Sequence, residues 1–91
     1  MTISEAKDRL RIPTLWRRLV LPGEPPACDG VCRSPFREDS SPSFSIYAGG
    51  TRFKDHGSGD GGDAITFLAM ARRIGNREAV LEFLDLAARS Q

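Results

Sequence analysis

Residues 34–63 have the sequence SPFREDSSPSFSIYAGGTRFKDHGSGDGGD, and the signals in this stretch decide the fold. It opens with a turn stiffened by proline, after which the apolar residues Phe44 and Ile46 alternate with polar ones. This alternation predicts a half-buried strand. Gly49-Gly50 predicts a two-residue hairpin turn, because glycine tolerates positive φ at both positions.

The second half of the stretch predicts the returning strand at residues 51–55, with Phe53 facing inward. A glycine-rich loop over residues 57–62 follows, and Asp63 suits the N-cap of a helix. A third strand is not evident, although residues 30–33 could form one and pair with the hairpin.

Apolar segments on both sides of this stretch predict helices that cover the hairpin. Thr2 and Glu5 form a capping box before the first helix, and Pro13 suits the first turn of the second. Gly75 is the expected end of the third helix, and Asn76 the cap of the last. We therefore expect one α+β domain over residues 1–91, with helices at about 3–20, sheet and loops at 27–62, and helices at about 63–89.

The composition is that of an ordinary globular chain and excludes several classes of protein. The 91 residues are 40% apolar and 27% charged, with a net charge of +1. No strong overall field draws such a protein to nucleic acid or to an anionic membrane, so any such binding needs local clustering of cations. No membrane span or signal peptide is evident, and we expect a cytoplasmic protein.

Two motifs suggest a cofactor or a cation, and each has a plainer explanation. Residues 57–62 match G-x-G-x-x-G, but Asp60 and Asp63 would place carboxylates where a pyrophosphate binds. A turn closed by an N-cap explains them better. Five carboxylates in this stretch could bind a divalent cation: Glu38, Asp39, Asp55, Asp60 and Asp63. Carboxylates in polar loops are more often helix caps or solvated charges. With His56 as the single histidine, no catalytic constellation is visible.

Cations and aromatic residues alternate around the hairpin. A β-surface of this kind suits single-stranded nucleic acid, because phosphates meet the cations while bases stack on the rings. An ordinary charged outer surface of a hairpin explains the same pattern equally well. The residues are Arg33, Arg37, Arg52 and Lys54, with Phe36, Tyr47 and Phe53 between them.

The order of these motifs resembles the amino-terminal zinc-binding domain of bacterial DnaG-type DNA primases. In that family Cys-Pro-Phe-His and a Glu precede Pro-Ser-Phe, a hairpin, Cys-Phe-Gly-Cys-Gly, and a Gly-Gly-Asp that opens a helix. Here the corresponding segments are SPFRE at 34–38, PSF at 42–44, DHGSG at 55–59 and GGDAI at 61–65. The resemblance covers nearly the whole chain and implies a zinc-ribbon-like antiparallel sheet flanked by helices.

The same resemblance implies that the zinc site has been lost. The family's four ligand positions are Ser34, Arg37, Asp55 and Ser58 in this sequence. Serine is a poor zinc ligand, and arginine cannot be one because it stays protonated. We therefore expect no metal cofactor, and a salt bridge between Arg37 and Asp55 as its polar substitute, with the two serines hydrogen-bonding around it.

A displaced zinc site is the alternative. Cys28, Cys32, Asp55 and His56 could supply four ligands of acceptable type, although a three-residue gap between cysteines is uncommon in ribbon knuckles. A disulfide between the two cysteines is not expected, because the spacing is hard to bridge and the compartment is reducing.

By resemblance, we expect a non-catalytic module that contacts single-stranded template DNA during replication or primer synthesis. The resemblance implies a module of a primase, or of a primase–helicase of mobile-element type, with a separate primase or helicase catalytic protein as partner and no catalysis by this chain itself. The expected DNA-binding residues are Arg33, Arg37, Tyr47, Arg52 and Lys54. The alternative is a protein-interaction module that kept the fold and lost DNA and zinc binding, which the near-neutral charge favours.

Overall fold

The computed structural model describes residues 2–23, 25, 31–36 and 43–89. In these residues the chain forms four helices and a four-stranded antiparallel sheet, which confirms the predicted α+β class. The elements in chain order are α1 (Ile3–Arg9), α2 (Ile12–Arg18), β1 (Val31–Cys32), β2 (Phe44–Tyr47), β3 (Arg52–Asp55), β4 (Gly61–Asp63), α3 (Ala64–Arg72) and α4 (Asn76–Arg89).

The sheet has the strand order β1-β2-β3-β4, and each strand is antiparallel to its neighbours. The suspected third strand is present, because β1 pairs with β2. The assignment of Gly61 and Gly62 to a loop was wrong, since both belong to β4 and pair with β3. A side chain at Gly61 would lie 3.0 Å from the Phe53 carbonyl oxygen, and one at Gly62 would lie 2.9 Å from Thr66. This strand is glycine-rich because there is no room for a Cβ, and it therefore shows no apolar alternation.

The hairpin turn is wider than predicted. Tyr47 pairs with Arg52, so four residues connect the strands instead of Gly49-Gly50 alone. Ala48, the first residue of this turn, is exposed and has a φ of 54°. The guanidinium of Arg11, just before α2, donates a hydrogen bond to the Gly49 carbonyl at 2.8 Å. Packing of this helix start against the turn accounts for the larger loop.

The helix boundaries follow their capping residues. Thr2 Oγ1 accepts from the Glu5 amide at 3.1 Å, and Asp63 Oδ1 accepts from the Thr66 amide at 3.0 Å, which confirms both predicted caps. Gly75 was predicted to end α3, and this was wrong. Arg73 is the left-handed residue there, with φ 58° and ψ 46°, and its amide bonds back to the Ala69 carbonyl.

The core lies between the helices and one face of the sheet, and aromatic rings fill its centre. Trp16 of α2 and Phe67 of α3 meet Phe44 and Phe53 of the sheet, with ring centroids 5.4 to 6.2 Å apart. Phe36 joins them, 5.0 Å from Phe67. Within the part of the chain that the structure describes, no helix has the length and apolar character needed to cross a membrane.

Candidate nucleic-acid interface

The face of the sheet opposite the core is mostly polar, although the exposed Val31 of β1 pairs with Ser45 there. Tyr47 on β2 lies directly across from Arg52 on β3, and Ser45 lies across from Lys54. These four residues point away from Phe44, Ile46 and Phe53, because alternate strand residues face opposite sides. Tyr47 remains 41% exposed and Arg52 is also exposed. We call the surface of Ser45, Tyr47, Arg52 and Lys54 the outer face.

The two outer-face cations have different surroundings. The Lys54 ammonium donates to the Gly59 carbonyl at 3.1 Å, which holds its side chain along the loop after β3. Arg52 lies across from Asp63 on β4, but the Asp63 carboxylate binds the Lys7 ammonium at 2.8 Å. Since the Asp63 carboxylate already pairs with Lys7, it neutralises the Arg52 charge only in part, and the guanidinium can attract an anionic ligand.

The structure brings together three of the five predicted DNA-binding residues, namely Tyr47, Arg52 and Lys54. Arg33 is exposed directly after β1, whose Val31 pairs with Ser45. Arg37 lies outside the described residues. Sequence reasoning missed Ser45 as part of this surface, and it considered His56 only as a metal ligand or as a lone catalytic histidine.

His56 follows β3 at the same alternation as Arg52 and Lys54, and its Nε2 atom lies 3.4 Å from Ser45 Oγ. The alternation at 52, 54 and 56 was the sequence signal that could have placed it on the outer face.

The former zinc positions that the structure describes are engaged in hydrogen bonds instead. Ser34 is 7% exposed, and its hydroxyl oxygen accepts from the Phe36 amide at 3.2 Å. Ser58 is exposed, and its hydroxyl donates to Asp60 Oδ2 at 3.0 Å. A serine hydroxyl and an arginine do not make a zinc-binding donor set. These residues therefore do not fit the metal that the family implies.

Asp55 organises the turn that follows β3. Its side chain is buried, with 2% exposed, and its Oδ1 atom accepts from the Gly57 amide at 3.0 Å and the Ser58 amide at 3.2 Å. The Ser43 hydroxyl donates to the same oxygen at 3.5 Å. A carboxylate thus closes a turn at a ligand position of the family. Its predicted salt bridge with Arg37 stays a prediction, because Arg37 is outside the described residues.

The displaced zinc site gains no support from the described residues. Cys32, Asp55 and His56 are all described, yet no three His, Cys, Asp or Glu side chains among the described residues group closely enough to hold a metal ion. The Cys32 thiol instead donates to the Arg33 carbonyl at 3.3 Å. Asp60 and Asp63 form no such group with Asp55 either. Cys28, Glu38 and Asp39 lie outside the described residues.

The Asp63 carboxylate connects α1 to the sheet and to α3. Its side chain is 25% exposed and that of Lys7 is 29% exposed. Partial burial raises the pKa of Asp63, but the hydrogen bond from Lys7, the bonds from Thr66 and the charge of Lys7 together hold that pKa below its usual value. Asp63 therefore stays ionised in the folded protein to a lower pH than an exposed aspartate.

These features define a small zinc-ribbon-like α+β domain in which serine, arginine and aspartate occupy the family's metal-ligand positions. A family model, that of the DnaG-type zinc ribbon described as a CHC2 zinc finger, matches residues 2–90. The chain belongs to this family, which confirms the resemblance inferred from the motifs. No curated protein and no solved structure matched this chain.

Proposed function

We propose that this chain is a non-catalytic accessory module of DNA primer synthesis that contacts single-stranded template through the outer face of its sheet. Membership of the primase zinc-ribbon family supports a primase-related role. The observation on which the proposal depends is the outer face itself, where Tyr47 and Arg52 form one cross-strand pair and Ser45 and Lys54 the next. Cations beside an exposed ring are what single strands require.

The proposed partners are single-stranded DNA and a separate primase or helicase catalytic protein, which would use the template that this module holds. The cations at Arg33, Arg52 and Lys54 would contact phosphates, which fixes the position of the strand without reading its sequence. The Tyr47 ring would stack on a base, which tolerates any sequence because every base has a flat face.

The test is binding of a labelled single-stranded oligonucleotide over a range of salt concentrations. Changing Arg52 and Lys54 to alanine should weaken binding to all sequences and lower the salt slope by about 1.4, because each phosphate contact on a single strand contributes roughly 0.7. The variant Tyr47→Ala should lose about 1–3 kcal/mol of binding free energy with little change in slope.

A matched control removes two cations from α4. Arg77 and Arg89 are both exposed, and Arg89 forms only an exposed pair with Asp85, so their joint change to alanine alters net charge equally. This control should bind as the unchanged protein does. Equal weakening in both double variants would show that overall charge, and not the outer face, attracts the strand.

A protein-interaction module is the second candidate function, and the net charge of +1 favours it. A protein that binds single strands mainly through electrostatics is usually more basic. If the unchanged protein binds no oligonucleotide even at low salt, the DNA-binding proposal fails and this second function replaces it.

We also propose that the module works without zinc. The residue types at the family's ligand positions support this, because serine is a poor zinc ligand and arginine stays protonated, and because the Asp55 carboxylate accepts hydrogen bonds from amides of its own turn. The fold would then depend on its aromatic core and on the carboxylate-closed turn.

A further inference from the structure

One leucine of α4 lies outside the core. The helix buries Ala79, Phe83 and Ala87, whereas Leu81 is 66% exposed. Residues two positions apart on a helix are separated by about 200° around its axis, so Leu81 lies on the side away from both Ala79 and Phe83. A single exposed leucine is common on protein surfaces, so its meaning depends on the residues around it.

Charged residues of opposite sign flank Leu81, one helical turn away on each side. Arg77 precedes it by four residues and Asp85 follows it by four, and both are exposed. Residues at this spacing form one ridge on the helix surface, so the order along the ridge is cation, leucine, anion. Arg77 forms no ion pair with any residue that the structure describes. Asp85 pairs with Arg89 at 3.4 Å, but an exposed pair of this kind contributes little and can be exchanged for another.

This ridge is complementary to itself. If two copies of α4 pack antiparallel about a two-fold axis at Leu81, the two leucines meet, and Arg77 of each copy faces Asp85 of the other. A two-fold contact forms every interaction twice, so two ion pairs flank one leucine pair. Leu84 and Ala88 follow Leu81 by three and seven residues and widen the apolar surface on this side, since the first is half-buried and the second exposed.

We propose that this chain self-associates through α4 as a weak antiparallel dimer, in which a second copy covers Leu81. Asp85 would repel an acidic helix at this ridge and Arg77 would repel a basic one, whereas a second copy of the chain matches both charges. α4 packs against α1 and α3, so the contact leaves the outer face of the sheet open. The proposal is therefore independent of the proposed function.

The size of the contact limits its strength. Stable interfaces bury about 1,200–2,000 Å² in total. A helix of 14 residues is only about 21 Å long and offers less than this. We therefore expect a dissociation constant on the order of 0.1–1 mM, so the protein is monomeric at low micromolar concentration.

The experiment is sedimentation equilibrium of the full chain at concentrations below and above this range. Arg77→Asp places anions opposite anions at both ends of the ridge, and Asp85→Arg places cations opposite cations. Each change should raise the dissociation constant about tenfold or more, because it converts two attractive contacts into two repulsive ones. The double variant R77D/D85R reverses the order of the charges but keeps them complementary, so its dissociation constant should lie within about threefold of that of the unchanged protein.

A mixture of the two single variants tests the pairing directly. The R77D variant has anions at both positions and the D85R variant has cations at both, so an equimolar mixture should form heterodimers, whereas either variant alone associates far more weakly. Leu81→Gln removes the apolar centre and should abolish self-association. Arg17→Asp makes the same change in net charge as R77D at an exposed position of α2, and it should leave the dissociation constant unchanged. Circular dichroism will show that each variant is folded.

Three outcomes would overturn the proposal. The unchanged protein could stay monomeric at the highest concentration. It could self-associate in a way that both single changes leave intact, or that neither the double variant nor the mixture restores, which would place the contact outside α4. Equal weakening by Arg17→Asp would show that net charge, and not the ridge, controls association. DNA takes no part in these measurements, so their result does not decide the proposed function.

Discussion

Asp55 is a buried carboxylate at a position where the family has a zinc ligand, and its oxygen accepts from two successive amides of the following turn. Asp55→Ala removes both the charge and the acceptor, whereas Asp55→Asn removes the charge and keeps an oxygen at the same place. We expect the alanine variant to be less stable than the asparagine variant by about 1–3 kcal/mol, because amides in the turn lose their partner.

Thermal or urea unfolding of the two Asp55 variants checks this difference, which corresponds to several degrees in the melting temperature of a domain this small. Asp85→Ala is the matched control, since this carboxylate is exposed and forms only an exposed pair with Arg89, so its loss should change stability by less than about 0.5 kcal/mol. Equal stability of the two Asp55 variants would show that the negative charge, and not the acceptor, holds the turn.

At the scale of residues, strand alternation in the sequence predicts which side chains face outward, and capping patterns predict where helices begin. Tyr47, Arg52 and Lys54 share one surface, as strand alternation predicts, and Thr2 and Asp63 are caps. The role of Asp55 in the turn could not be predicted, because hydrogen bonds to amides two and three residues away depend on the turn's shape and not on its composition. The proximity of His56 to Ser45 depends in the same way on the strand register.

At the scale of elements, the pair between Lys7 on α1 and Asp63 on β4 joins the amino-terminal helix to the sheet edge and to the start of α3. Because folding lowers the pKa of Asp63, its ionised form is favoured in the folded state. The ionised Asp63 therefore adds to the free energy of unfolding. This contribution is fully present at pH values above the usual aspartate pKa of about 3.9, and it is lost as the pH falls through the lower pKa that Asp63 has in the folded protein.

Asp63→Asn tests this contribution, because asparagine is also a good N-cap but carries no charge. We expect the variant to lose about 1 kcal/mol or less at neutral pH, as both partners are partly exposed. The difference from the unchanged protein should stay constant down to about pH 4 and shrink below it. Asp85→Asn, which alters an exposed pair with Arg89, is the control and should have almost no effect. A difference that grows as pH falls would contradict the assigned pKa direction.

The helices and the central hairpin could be predicted because their apolar periodicity and caps are local signals. β4 could not, because Gly61 and Gly62 are required by close contact with Phe53 and Thr66 and have no side chains that could alternate. The width of the hairpin turn could not be predicted from the sequence either. It depends on contacts with Arg11, which is distant along the chain.

At the scale of the whole molecule, the small net charge is the sum of charged residues that are unevenly distributed over the surface. The total is only +1, yet Arg52 and Lys54 lie together on the outer face, while Asp63 at the sheet edge is bound to Lys7. The electrostatic attraction that a DNA strand experiences is therefore set by the charges of the outer face and not by the net charge of the protein. This is why the salt dependence should respond to outer-face cations and not to cations on α4.

Aromatic rings form the centre of the core in the part of the chain that the structure describes. Trp16, Phe36, Phe44, Phe53 and Phe67 contact one another with ring centroids between 5.0 and 6.4 Å apart. Aromatic pairs contribute about 0.5–1.5 kcal/mol beyond the area they bury. These contacts join α2, α3 and both central strands, so they connect the elements on either side of the former metal positions.

The last prediction concerns the metal itself. Structural zinc can contribute about 10 kcal/mol or more to a small domain, so a zinc-dependent fold unfolds when a chelator removes the ion. We expect protein purified without a metal-binding tag to contain far less than one zinc per chain, and its melting temperature to be the same with and without a strong chelator. Elemental analysis and thermal unfolding measure the two quantities independently. About one zinc per chain, together with a melting temperature lowered by the chelator, would contradict the proposal. Serine variants of Cys28 and Cys32 would then show whether the cysteines hold the ion.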